Sequence, residues 1–128
     1  MVLQNSSSHH TALIITDVSI KNDIATSILH IHIENHPLTK TVHHAAFVTS
    51  MEAELFTIRC SINQACSKAN ISKVIVVMDS IHAAKKIFDS KSHSFQSYTT
   101  VILSELQGFF NSNHNNSIEF WECPSHLK

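Results

Sequence analysis

The sequence predicts a single α/β domain: a five-stranded mixed sheet, an antiparallel meander followed by parallel strands, with helices over it. Three observations carry this. The runs from Ala12 to Ile20 and from Lys73 to Met78 are apolar and β-branched on both alternating faces, as strands covered on both sides require. Between them lies a half-exposed alternating segment and a long stretch of helical spacing. At 128 residues, 43% hydrophobic and 15% charged, the chain suits one globular domain.

Each element follows from its local pattern. Residues 1–10 are polar and unpatterned and read as a flexible lead-in, leaving 11–128 as the domain. The first strand, Ala12 to Ile20, carries Asp17. From Ile24 to Glu34, Leu29, Ile31 and Ile33 alternate with His30, His32 and Glu34, the signature of a strand with one wet face. Asn35-His36-Pro37 signals a turn, and Thr41 to Thr49 reads as the third strand; so short a connection favours antiparallel pairing.

Met51 to Asn70 places Met51, Leu55, Ile58, Ile62, Ala65 and Cys66 on one helical stripe, with Ser50 available as N-cap. Lys73 to Met78 is the second buried strand, parallel to the first, and Asp79-Ser80 ends it. Ile81 to Phe88 and Phe95 to Phe110 repeat apolar residues at helical spacing. The only glycine, Gly108, precedes a polar loop from Asn111 to Ser117, and the strand Ile118 to Cys123 is stopped by Pro124. The order is β-β-β-α-β-α-α-β, without internal repeats.

Composition excludes several function classes. A net charge of −1 argues against binding nucleic acid by bulk electrostatics, so any polyanion contact must be local. Lys85, Lys86 and Lys91 form the one basic cluster, read first as a solvated helix face. No apolar stretch approaches the roughly 20 residues that span a bilayer, and residues 1–10 lack the apolar centre of a signal peptide; an intracellular protein, cytoplasmic or nuclear, is expected. Cys60, Cys66 and Cys123 are odd in number with no C-x-x-C pair, so they read as reduced thiols.

Two carboxylates break the core-building rule. Asp17 sits inside the first apolar strand and Asp79 closes the fourth. If these strands are parallel neighbours, both acids come to or near the sheet's carboxyl edge, where α/β sheets bind ligands. A third acid can come from the long helix, where Glu52 and Glu54 flank the apolar stripe and helix geometry does not choose between them. Oxygen-only ligands suit Mg²⁺ or Mn²⁺ rather than zinc. The plainer reading has Asp17 begin a turn and Asp79 cap a helix.

These residues also carry a resemblance. Thr16-Asp17-Val18-Ser19 resembles the T-D-x-S motif on the first strand of ribonuclease H, Ser50-Met51-Glu52-Ala53-Glu54-Leu55 resembles its A-E-L helix motif, and Met78-Asp79-Ser80 resembles its T-D-S motif. The motifs come in order on matching elements, and the non-glycine residue after Asp17 is more similar to retrotransposon domains than to the cellular enzymes. The resemblance spans about Ala12 to His126 and implies a ribonuclease H-like fold.

It further selects Glu54 over Glu52 and implies hydrolysis of the RNA strand of an RNA–DNA hybrid. Asp17, Glu54 and Asp79 would be the metal ligands and catalytic carboxylates for two Mg²⁺ or Mn²⁺ ions, with the ribose 2′-hydroxyl separating RNA from DNA. His126 matches the family's auxiliary histidine. The family's next element, a helix bearing a fourth carboxylate, has no counterpart before Lys128. The expectation is therefore a domain truncated before that helix, impaired in activity, with an uncovered sheet face open to homodimer formation or domain swapping. The alternatives are an inactive remnant that binds nucleic acid, or an oligomerisation module. Zinc at His30, His32, His43 and His44 is geometrically feasible across strands but lacks H-E-x-x-H or cysteine support.

Overall fold

The computed structural model describes residues 10–22, 24–34, 36–45, 50–68, 70–79, 81–89 and 96–123. Five strands, β1 (His10–Lys21), β2 (Ile24–Ile33), β3 (His36–Ala45), β4 (Ile71–Met78) and β5 (Ser117–Glu122), form one sheet in the order β3-β2-β1-β4-β5. Three helices, α1 (Ser50–Cys66), α2 (His82–Ile87) and α3 (Gln96–Ser112), complete the succession. The antiparallel meander β1-β2-β3 and the parallel set β1-β4-β5 meet at β1.

The core lies between the helices and one face of the sheet. Along β1, Ala12, Ile14 and Thr16 are buried and Leu13 and Ile15 only half-buried; Ile31 and Leu29 of β2 and Val74, Val76 and Met78 of β4 share the buried face. Against it pack Leu55, Ile58 and Ile62 of α1, Ala83 and Ile87 of α2, and Ile102 and Leu106 of α3. All three helices lie on this face because the two parallel crossovers, β3 to β4 through α1 and β4 to β5 through α2 and α3, progress in one direction across the sheet, and right-handed crossovers that do so stay on one side.

Several boundaries differ from the sequence expectation. His10, placed in the lead-in, is the first residue of β1, and its backbone N–H donates to Asn70 O at 2.8 Å. The third strand starts at His36 rather than Thr41: Glu34, at φ 57°, makes the reversal tight, and Pro37 is tolerated opposite His32 because β3 is an edge strand. The far end of the expected strand, 46–49, lies outside the described residues. The α1 helix ends at Cys66, four residues early, where Lys68 N–H bonds Ala65 O. Gly108 lies inside α3, as the expected helix to Phe110 requires. It sits on the exposed side of α3, which runs on to Ser112, a position where glycine costs a helix about 1 kcal/mol relative to alanine.

Candidate functional site

The last paired residues of the β1–β4 ladder are Ile15 and Val77. There the strands part, and the Thr16 hydroxyl donates to the Val77 carbonyl at 3.1 Å, closing the ladder with a side chain. Asp17 and Asp79 each stand two residues beyond that last pair. A cleft of about 390 Å³ opens at this point, lined by Thr16, Val18, Ile20, Ser50, Glu54, Thr57, Met78 and Asp79.

Glu54 and Asp79 therefore share one cleft. Burial pushes the Glu54 carboxyl above its usual value, the nearby Asp79 charge pushes it further, and His82 and a hydrogen bond from the Ser50 hydroxyl pull it back. Glu52, the other acid on the same turn, does not line the cleft. The N-cap position of α2 is held by Ile81, which makes no side-chain cap bond, and not by Asp79.

Asp17 is placed differently. It lies within β1, which continues to Lys21, so it does not begin a turn. Period-two alternation puts its exposed carboxylate on the face opposite Thr16 and Val18, outside the lining of the cleft. Among the described residues, no three His, Cys, Asp or Glu side chains converge as a metal-binding group. The cleft still offers oxygen donors alone, from Glu54, Asp79, Thr16 and Ser50, a set that fits a hard divalent cation and not zinc.

The remaining candidates are dispersed. His126 lies outside the described residues, as do the side chains of His43 and His44. His30 Nδ1 is 3.4 Å from Thr39 Oγ1, and His10 pairs with Glu34 at 2.8 Å. Cys60, Cys66 and Cys123 are unbridged and half-buried. Sequence reasoning missed the supports beneath the cleft. Thr57 Oγ1 donates to Ala53 O at 2.7 Å and accepts from Ser27 Oγ, tying α1 to β2 one turn past Glu54. His82 was missed too, although a histidine three residues after Asp79 was visible, and Thr16, named in its motif, was not foreseen as the link to β4.

No model of a known family and no curated protein matches the sequence. Solved structures do. The N-terminal RNase H domain of a Mycobacterium tuberculosis protein aligns with a TM-score of 0.67 at 14% identity, over 91% of this chain and 84% of that one. The RNase H1 of the archaeon Halobacterium salinarum aligns with a TM-score of 0.64 at 9% identity, over 92% and 87%. The fold is ribonuclease H-like. A third ribonuclease H-like structure, an RNase H1 isolated from compost, aligns less closely, with a TM-score of 0.52 at 16% identity over 91% and 86%. At such identities the likeness is one of fold, and in that ribonuclease H-like frame the three motif carboxylates stand on β1, α1 and the end of β4.

Proposed function

We propose that this domain is a metal-dependent endoribonuclease of the retrotransposon ribonuclease H type, which hydrolyses the RNA strand of RNA–DNA hybrids. The observation that carries the reading is the meeting of Glu54 and Asp79 in one oxygen-lined cleft where β1 and β4 part, with Asp17 at the matching step of β1. The T-D-x-S, A-E-L and D-S motifs support it independently. Glu54 and Asp79 would hold Mg²⁺ or Mn²⁺ in the cleft, and Asp17 joins them on the motif alone, its carboxylate standing on the other face of β1. Bound as a pair, such ions activate a water and stabilise the leaving oxygen of an in-line displacement.

The chain's own residues position and tune this site. Ser27 and Thr57 lock α1 onto β2 and so set the height of Glu54 above the strands. Thr16 holds β1 to β4 at the mouth of the cleft. Burial first and the Asp79 charge second raise the Glu54 carboxyl, with His82 and Ser50 partly offsetting them, and a cation held between the two acids would favour both carboxylates in their charged form. His126 is assigned its auxiliary role on the motif alone.

The test is cleavage of an end-labelled RNA strand within a hybrid, in Mg²⁺ and in Mn²⁺, with all-DNA duplex as control. The expected result is RNA-strand cuts by the wild-type chain and none by folded Asp17→Asn, Glu54→Gln or Asp79→Asn. No cleavage in either metal, or equal cleavage by Glu54→Gln, overturns the reading.

A second reading, an association module, is favoured by the sheet face that carries no helix among the described residues, where Leu13, Ile15, Ile75 and Val77 are half-buried and Trp121 is 52% exposed. Sedimentation equilibrium decides it: a monomer at all concentrations removes it, and a dimer broken by Trp121→Lys supports it.

A further inference from the structure

Resting on the nuclease reading, we propose that the basic face of α2 is a phosphate-holding subsite that grips the polynucleotide backbone beside the cut. His82, Lys85 and Lys86 stand three and four residues apart, which places them on one side of the helix. They line a shallow depression together with Met51 and Asp89. Two ammonium groups face one carboxylate there, so the depression is net cationic even with His82 neutral.

Its position gives the charge a purpose. Ser50 lines the carboxylate cleft and Met51, the next residue, lines the basic depression, so the first turn of α1 forms a wall shared by the two. His82 is shared, since it lowers the Glu54 carboxyl from its place in the basic depression. A strand presents a phosphate roughly every 3.4 Å of helix axis, so a strand seated in the carboxylate cleft carries neighbouring phosphates across this wall.

Three of the other described cations are engaged or placed elsewhere. Lys73 pairs with Glu119 at 3.0 Å and Arg59 approaches Glu105 at 3.8 Å. Lys68 lines a separate cleft with Asn70, Ser112 and Asn116, beyond the far end of α1. With a net charge of −1 the chain cannot attract a polyanion in bulk. A local pair of lysines next to a carboxylate cleft supplies what the composition withholds, and the flexible ammonium suits a phosphate as a point charge.

The experiment measures salt dependence in Lys85→Ala, Lys86→Ala, the double variant and Lys68→Ala as control. The logarithm of KM for hybrid cleavage is followed against the logarithm of NaCl concentration. Anisotropy of a fluorescein-labelled hybrid in EDTA gives the same slope for binding without cleavage. Each α2 lysine that holds a phosphate reduces the slope by about 1. The double variant should therefore lose about 2, with KM raised and kcat unchanged, while Lys68→Ala matches wild type. A double variant with the wild-type slope in the cleavage assay overturns the subsite and leaves the nuclease reading standing. If the wild-type chain cuts nothing, the nuclease reading fails by itself. The binding slope then decides alone: a loss of about 2 supports the subsite, and an unchanged slope overturns it.

Discussion

Replacing Thr57 by valine should cost more stability than replacing its partner Ser27 by alanine, and the double replacement should recover part of the loss. Ser27 is fully buried and Thr57 is 1% exposed, so neither hydroxyl can turn to water. Thr57 spends its proton on Ala53 O, which makes Ser27 the donor in their mutual bond. Thr57→Val keeps shape but leaves the Ser27 hydroxyl buried and unpartnered, a penalty of about 1–3 kcal/mol. Ser27→Ala removes one bond while Thr57 keeps its link to Ala53 O, so about 0.5–1.5 kcal/mol is expected. With both hydroxyls gone no donor is stranded, and the cycle should show a coupling of about 1–2 kcal/mol. Urea unfolding of the four proteins measures this; for a chain of this size 1 kcal/mol moves Tm by about 3–5 °C. Additive losses, or Thr57→Val no worse than Ser27→Ala, would refute the assignment of donor and acceptor. Because Thr57 lies one turn past Glu54, hybrid cleavage should fall in step with the stability loss.

Three further outcomes are expected. Glu54 holds its proton more tightly folded than unfolded, so stability falls as pH rises from about 4.5 through the raised folded value; Asp79→Asn removes one cause and should raise Tm in EDTA above that window, whereas a lower Tm would contradict the repulsion. Lys73 bonds Glu119 and, ahead of Trp121, holds its carboxyl below the usual range, a contribution present at neutral pH and lost as pH falls through the folded value. In Lys73→Met the Glu119 resonance in a carbon NMR titration should move upward, and an unmoved midpoint would show that the pair does not tune it. Burial pushes the Cys66 thiol up to about 11, leaving on the order of one thiolate in a thousand at pH 8; native-state alkylation read by mass spectrometry should be slow there, and labelling as fast as in urea would reject the buried placement.

Much of the architecture was legible because its signals are local. Alternation at period two separated Leu29, Ile31 and Ile33 from His30 and His32, and the structure buries or half-buries the first set and exposes the second. The unbroken apolar runs around Ile14 and Val76 identified the central parallel pair, although the expected cover on both faces is found on one only, the described helices all packing on the Ile14 and Val76 side. The acids at positions 17 and 79 stood out because such strands do not accept charge without a purpose.

The tertiary structure decided what depends on partners far along the chain. That Glu54 lines the cleft and Glu52 does not follows from which side of α1 faces the β4 end, a matter of helix packing that the stripe of apolar residues left open. Asp17 falls on the opposite face from the cleft because β1 stays regular through it to Lys21, and one residue of parity moves a strand side chain across the sheet. That Asp79 leaves the α2 cap to Ile81 depends on how the chain turns after β4, which no tripeptide encodes. The Ser27–Thr57 bond joins residues 30 positions apart and the Thr16–Val77 bond residues 61 apart. Sequence patterns report the period of each element; register, helix rotation and the contacts between distant hydroxyls arise only when the elements dock, because that step selects which equally good local faces meet.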